Sequence, residues 1–136
     1  IALIKLNNMK HLFIPYELAL IAKEKGFNEP CLAGYCTNGE FAEPDYDLNM
    51  FRNRNRSGGE ISAPLYQQII DWFRDKHGIT IEAISSGLPT GKERFTTSYR
   101  VQKFPDKTGY KGYRELFFRG KNPYNRAIEE AFKLIK

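Results

Sequence analysis

Residues 61–79 carry the pattern that restricts this chain most. On a helical wheel Leu65, Tyr66, Ile69, Ile70, Trp72 and Phe73 fall within an arc of about 160°, a stripe that must face a core. Gln67, Asp71, Arg74 and Asp75 take the other side. Ser62 is placed to cap the helix, Pro64 to sit in a first turn where its missing N–H costs nothing, and Gly78 to stop it. Six large apolar side chains on one face cannot stay in water, so the rest of the chain has to cover them.

A length of 136 residues points to a single domain, 1–136, large enough to bury about two thirds of its unfolded surface. No apolar run approaches the ~18 residues of a membrane span. Residues 1–8 are too short an apolar stretch for a signal peptide and read as a strand or a tail ahead of Met9. The expected location is therefore cytoplasmic. Cys31 and Cys36 have an odd spacing that points them to opposite sides of an extended segment, so they read as two reduced, half-buried thiols.

Around the central helix, residues 15–25 repeat its grammar: an early proline, then Leu18, Ile21 and Ala22 on one side, then Gly26 as a stop and Phe27 to fold back. Residues 31–37 read as a strand ended by the turn pair Asn38-Gly39. Residues 38–60 read as a long loop, expected to be mobile, that runs from acidic to basic and ends in Ser57-Gly58-Gly59. An extended run there would line up Arg52, Arg54 and Arg56 to track phosphates, but a solvated loop whose charge blocks attract each other is the preferred reading. Ile79, Ile81 and Ala83 alternate with Thr80, Glu82 and Ile84. In the strand at 94–103, Phe95, Thr97, Tyr99 and Val101 alternate with Arg94, Thr96, Ser98, Arg100 and Gln102. A return strand at 113–119 and a last helix opened by Asn122-Pro123 follow. The fold class is α+β, with three helices packed on one face of a mostly antiparallel sheet in the order α-β-α-β-β-β-α.

Familiar catalytic and metal motifs are absent from the sequence. Gly87-Leu88-Pro89-Thr90-Gly91-Lys92 has one residue too few between its glycines for a phosphate loop, and Glu93 stands where a Ser or Thr is needed. His11 and His77 are the only histidines, which leaves no zinc spacing, and His77 reads as a cation at a helix C-terminus. Trp72 reads as core. No cofactor and no metal are expected, and the chain reads as non-enzymatic.

Two resemblances accompany this reading. Ile14-Pro15-Tyr16-Glu17-Leu18-Ala19 with Lys25-Gly26-Phe27-Asn28-Glu29-Pro30-Cys31, and Ile61-Ser62-Ala63-Pro64-Leu65-Tyr66-Gln67-Gln68 with Asp71-Trp72-Phe73-Arg74, resemble a family of small uncharacterised proteins of bacteriophages and gut bacteria. That resemblance carries no activity with it. Residues 62–136 resemble the double-stranded-RNA-binding domain in topology and in Phe118-Arg119-Gly120-Lys121-Asn122 followed by Ala127 and Ala131. The resemblance implies groove contacts from Gln67, Gln68 and residues 87–92. Tyr124, Asn125 and Ile128 stand where it would have phosphate-holding lysines, leaving Lys121 and Arg126 nearby.

Charge suggests the partner. Residues 1–91 hold 9 Lys/Arg against 11 Asp/Glu, whereas residues 92–136 hold 12 against 5. The expected function is an accessory protein whose C-terminal surface binds nucleic acid or another polyanion through Lys92, Arg94, Arg100, Lys103, Arg114, Arg119 and Lys121. The rival is a protein partner, or a structural role in a phage, using Tyr110, Tyr113 and Phe117 on the sheet face away from the helices.

Overall fold

Pro64 decides where the central helix begins. A residue that precedes proline is held out of the α region, and Ala63 accordingly stays extended. The computed structural model describes residues 9–42, 51–56, 58–86, 96–104, 114–118 and 123–135. In it the helix expected from residue 62 onward starts only at Tyr66. Its elements are α1 (Tyr16–Glu24), β1 (Ala33–Cys36), β2 (Phe41–Ala42), β3 (Glu60–Ala63), α2 (Tyr66–His77), β4 (Ile79–Ser86), β5 (Thr96–Lys103), β6 (Arg114–Phe118) and α3 (Pro123–Lys133), with 3-10 turns at Lys10–Leu12 and Arg54–Arg56. The class is α+β. Two strands, β2 and β3, go beyond the expected order, and the strands form two three-stranded sheets rather than one. Residues 1–8, 43–50 and the 87–95 connection lie outside the described residues.

The chain falls into two compact units, Ile1–Ile69 and Ile70–Lys136. In the first, β1 is the central strand of an antiparallel sheet ordered β2-β1-β3. Tyr35 pairs with Phe41 on one side and Ile61 on the other. The β1–β2 hairpin turns at Gly39, whose φ of +86° is the left-handed conformation that glycine adopts without strain. Pro64 precedes α2 by bonding elsewhere: its carbonyl accepts the Ile14 N–H at 3.1 Å. The helical bonds begin at Leu65, whose carbonyl accepts the Ile69 N–H. α1 ends as expected at Gly26, and Phe27 folds back, its N–H donating to the Ala22 carbonyl at 2.8 Å. Phe13, Ile14, Leu18, Phe27 and Tyr35 are buried in this unit. The Tyr35 hydroxyl donates to the Ile14 carbonyl at 2.7 Å, which satisfies a group that would otherwise be costly to bury.

In the second unit β4, β5 and β6 form an antiparallel meander. Ile81 pairs with Val101, which pairs in turn with Leu116. α3 buries Ala127, Ile128, Ala131 and Phe132, which share one side of the helix. Phe132 meets Phe73 at 4.8 Å and Trp72 at 6.4 Å between ring centroids. Trp72 is 4% exposed, and Ile69 and Phe73 are buried with it, while Leu65, Tyr66 and Ile70 of the same stripe are half-buried. Tyr99 of β5 stacks on Tyr124 of α3 at 4.6 Å with the rings nearly parallel. No helix among the described residues is long and apolar enough to cross a membrane.

Candidate polyanion-binding surface

Strand alternation sorts the basic residues of the second unit. Arg100 and Lys103 are three residues apart on β5, so they belong to opposite faces of the sheet. Arg114 occupies the position paired with Lys103, and Phe117 the position paired with Arg100. The proposed cationic contacts on β5 and β6 are therefore divided between two faces. Lys92, Arg94, Arg119 and Lys121, and with them Tyr110 and Tyr113, lie outside the described residues.

Both described β5 cations have partners within the unit. The Arg100 guanidinium is ion-paired and hydrogen-bonded to the Glu82 carboxylate, its directly opposite neighbour on β4. Such a half-exposed cross-strand pair cancels part of the local field and is of small worth to stability. The Lys103 ammonium donates to the Leu134 carbonyl at 2.8 Å, satisfying one acceptor that α3 leaves open just beyond its end. An ammonium has three donors, and this bond uses one of them.

His77, the last residue of α2, meets Trp72 edge-on at 4.6 Å between centroids. Its place at a helix C-terminus favours the cation, as the sequence suggested. Burial, and then the charge of Lys103, act the other way and hold its pKa below the ordinary 6.5. After Lys103 the chain passes to Phe104, which is 49% exposed and whose N–H donates to the Gly78 carbonyl at 2.9 Å. Nothing in the alternation of residues 94–103 singles out Phe104, because it lies one step past the strand.

In the basic stretch of the first unit, Arg54 has a structural use instead of a surface one. Arg54 is 2% exposed. Its Nη1 donates to the carbonyls of Cys31 at 2.6 Å and Ala33 at 3.2 Å, and its Nη2 to that of Leu32 at 3.4 Å. Glu60 lies 3.7 Å from its Nε. The side chain crosses β1 where Gly34 has no side chain: a Cβ there would stand 2.3 Å from the Arg54 Cδ. Its backbone N–H donates to Ser62 Oγ at 2.8 Å, so Ser62 serves Arg54 and β3 and caps no helix. Arg52 pairs with Glu60 at 2.7 Å. The three arginines therefore do not form an extended row that could track phosphates; residues 54–56 form a 3-10 turn.

Cys31 is buried and Cys36 exposed, and neither is in a disulfide. Burial pushes the Cys31 thiol up to about 12, so it stays protonated at neutral pH and is a poor nucleophile. Among the described residues no group of His, Cys, Asp and Glu could hold a metal ion. The chain matches no protein-family model, no curated protein and no solved structure.

Proposed function

We propose that this chain is a non-enzymatic accessory protein that binds nucleic acid as a polyanion through the C-terminal half of its sequence. The observation that carries the reading is the concentration of positive charge after residue 91, with 12 Lys/Arg against 5 Asp/Glu. At β5 and β6 part of that charge gathers: Lys103 and Arg114 occupy paired positions. The contacts are Lys92, Arg94, Arg100, Lys103, Arg114, Arg119 and Lys121, with α2 and α3 sharing the sheet face that carries Ile81 and Val101. The α2-β4-β5-β6-α3 order is the helix, three strands and helix on which the resemblance to the double-stranded-RNA-binding domain rests, and an element order alone has little functional weight. Tyr124, where that domain would hold a lysine, is stacked on Tyr99, which favours a binding mode other than the duplex clamp.

A gel-shift titration with mixed single- and double-stranded probes tests the proposal. Binding is expected at low salt and should weaken steeply as salt is added, because each neutralised phosphate releases counterions. No shift at low salt, or an Arg94→Glu/Arg100→Glu variant that binds as the parent does, ends it. A complex recovered from host lysate that survives nuclease points instead to a protein partner at Tyr110, Tyr113 and Phe117.

A further inference from the structure

An exposed aromatic residue and two lysines lie where α2 runs into β4 and β5 ends. Phe104 presents half of a large aromatic side chain to solvent, yet its backbone is tied down by the N–H bond to Gly78. Lys103 precedes it and pairs in register with Ile79, the first residue of β4. Lys76 stands exposed in the last turn of α2, beside His77. Arg114 holds the position across from Lys103 on β6. The nearest acidic neighbour in sequence, Asp75, is engaged by Arg74 at 3.0 Å. Two lysines thus lie close in the fold to an exposed ring on a fixed backbone, one of them its neighbour in sequence. That His77 is kept from protonating partly by Lys103 is a separate sign of the field at this spot.

We infer that this end of the second unit binds single-stranded nucleic acid, with a base stacked on Phe104 and the adjoining phosphates held by Lys76 and Lys103. An exposed aromatic beside cations is the general form of a stacking platform in an electrostatic groove, and it takes any base because every base offers a flat face. A duplex keeps its bases stacked on one another and has none to offer this ring. The inference rests on the polyanion reading and narrows it to one place and one class of ligand.

The test is fluorescence anisotropy at low salt with the full chain, using a labelled 12-nucleotide oligo-dT and, separately, labelled heparin, a polyanion without bases. Phe104→Ala, at an exposed position, is expected to weaken oligo-dT binding about tenfold and leave heparin binding unchanged. Lys76→Gln is expected to weaken both and to lower the salt slope by roughly one unit. A second readout follows the His77 imidazole protons by NMR in a His11→Gln background, where it is the only histidine. Saturating oligo-dT should raise the midpoint of its titration, since bound phosphate offsets Lys103. If oligo-dT binds but Phe104→Ala binds equally well, or the His77 midpoint stays fixed, this site is wrong while the polyanion reading survives. If neither oligo-dT nor heparin nor a duplex binds, the polyanion reading itself fails.

Discussion

Removing the Arg54 guanidinium would take from the carbonyls of Cys31, Leu32 and Ala33 the donor they share; the Cys31 carbonyl would keep the Arg52 N–H at 3.3 Å, while Ala33 lies fully buried. Charge-assisted bonds of this kind are among the stronger ones, and a buried acceptor left unpaired bears its full desolvation cost. Arg54→Ala is therefore expected to cost about 3 kcal/mol in urea unfolding. Arg54→Lys keeps the charge but not the planar fork, so it should recover only part of that loss. A fully stable Arg54→Ala variant would contradict the account. Cys31 offers a second check at the same scale: with its thiol pushed up to about 12 by burial, a thiol reagent at pH 8 should label Cys36 alone, and both cysteines only after unfolding. His77 provides the pH dependence. Its folded pKa is below its ordinary 6.5, so as pH falls through 6.5 the unfolded chain takes up this proton first and stability declines. The decline stops once the folded imidazole is protonated too, and above 6.5 the contribution is complete. Unfolding followed through Trp72, the single tryptophan and the ring that His77 touches, should show the slope, and His77→Gln should flatten it.

At the level of elements, the parts governed by local chemistry were legible. α1 with its Gly26 stop, the strands β4, β5 and β6 and the helix opening at Pro123 follow from spacing, but the faces of β4 and β5 follow only in part: Ser98 and Gln102, on the side read as polar, are buried, and Ala83 is exposed. Gly26 has φ +92° and nothing within 4 Å of where a Cβ would stand, so Gly26→Ala should cost roughly 1 kcal/mol from backbone strain alone. Thermal unfolding would show it, and Gly26→Asn should cost less. What spacing concealed were segments whose state depends on distant partners. Residues 61–63 have the composition of a helix entry, yet Ile61 and Ala63 pair with Tyr35 and Ala33 some thirty positions earlier. The clue was Pro64, read as an aid to starting the helix when its stronger effect falls on the residue before it. β2 is two residues long and has no period to detect. Arg54 was hidden for the same reason: an arginine among arginines reads as surface charge, and only Gly34, with no side chain to block its passage, hints at burial. On the candidate surface the sequence grouped cations by strand but could not register Arg114 against Lys103 instead of Arg100.

Over the molecule as a whole, the question is whether total charge or its placement governs binding. A net charge of +5 would draw any polyanion weakly, wherever the lysines stood. Placement predicts something narrower, since the first 91 residues carry slightly more acid than base. Two double variants separate the cases. Lys10→Gln/Lys25→Gln and Arg119→Gln/Lys121→Gln each take the net charge from +5 to +3. If total charge governs, the two should weaken oligonucleotide binding alike. If placement governs, the first pair should bind as the parent does, while the second should lose affinity and lower the salt slope by up to about two units, one for each phosphate contact removed. Glu82→Gln adds a test of opposite sign. It removes the carboxylate paired with Arg100, itself a proposed contact, without replacing any proposed cation, so affinity at low salt should rise. Anisotropy titrations of the three variants at two salt concentrations decide it, and equal slopes for both double variants would show that the C-terminal concentration of charge has no bearing on where the polyanion sits.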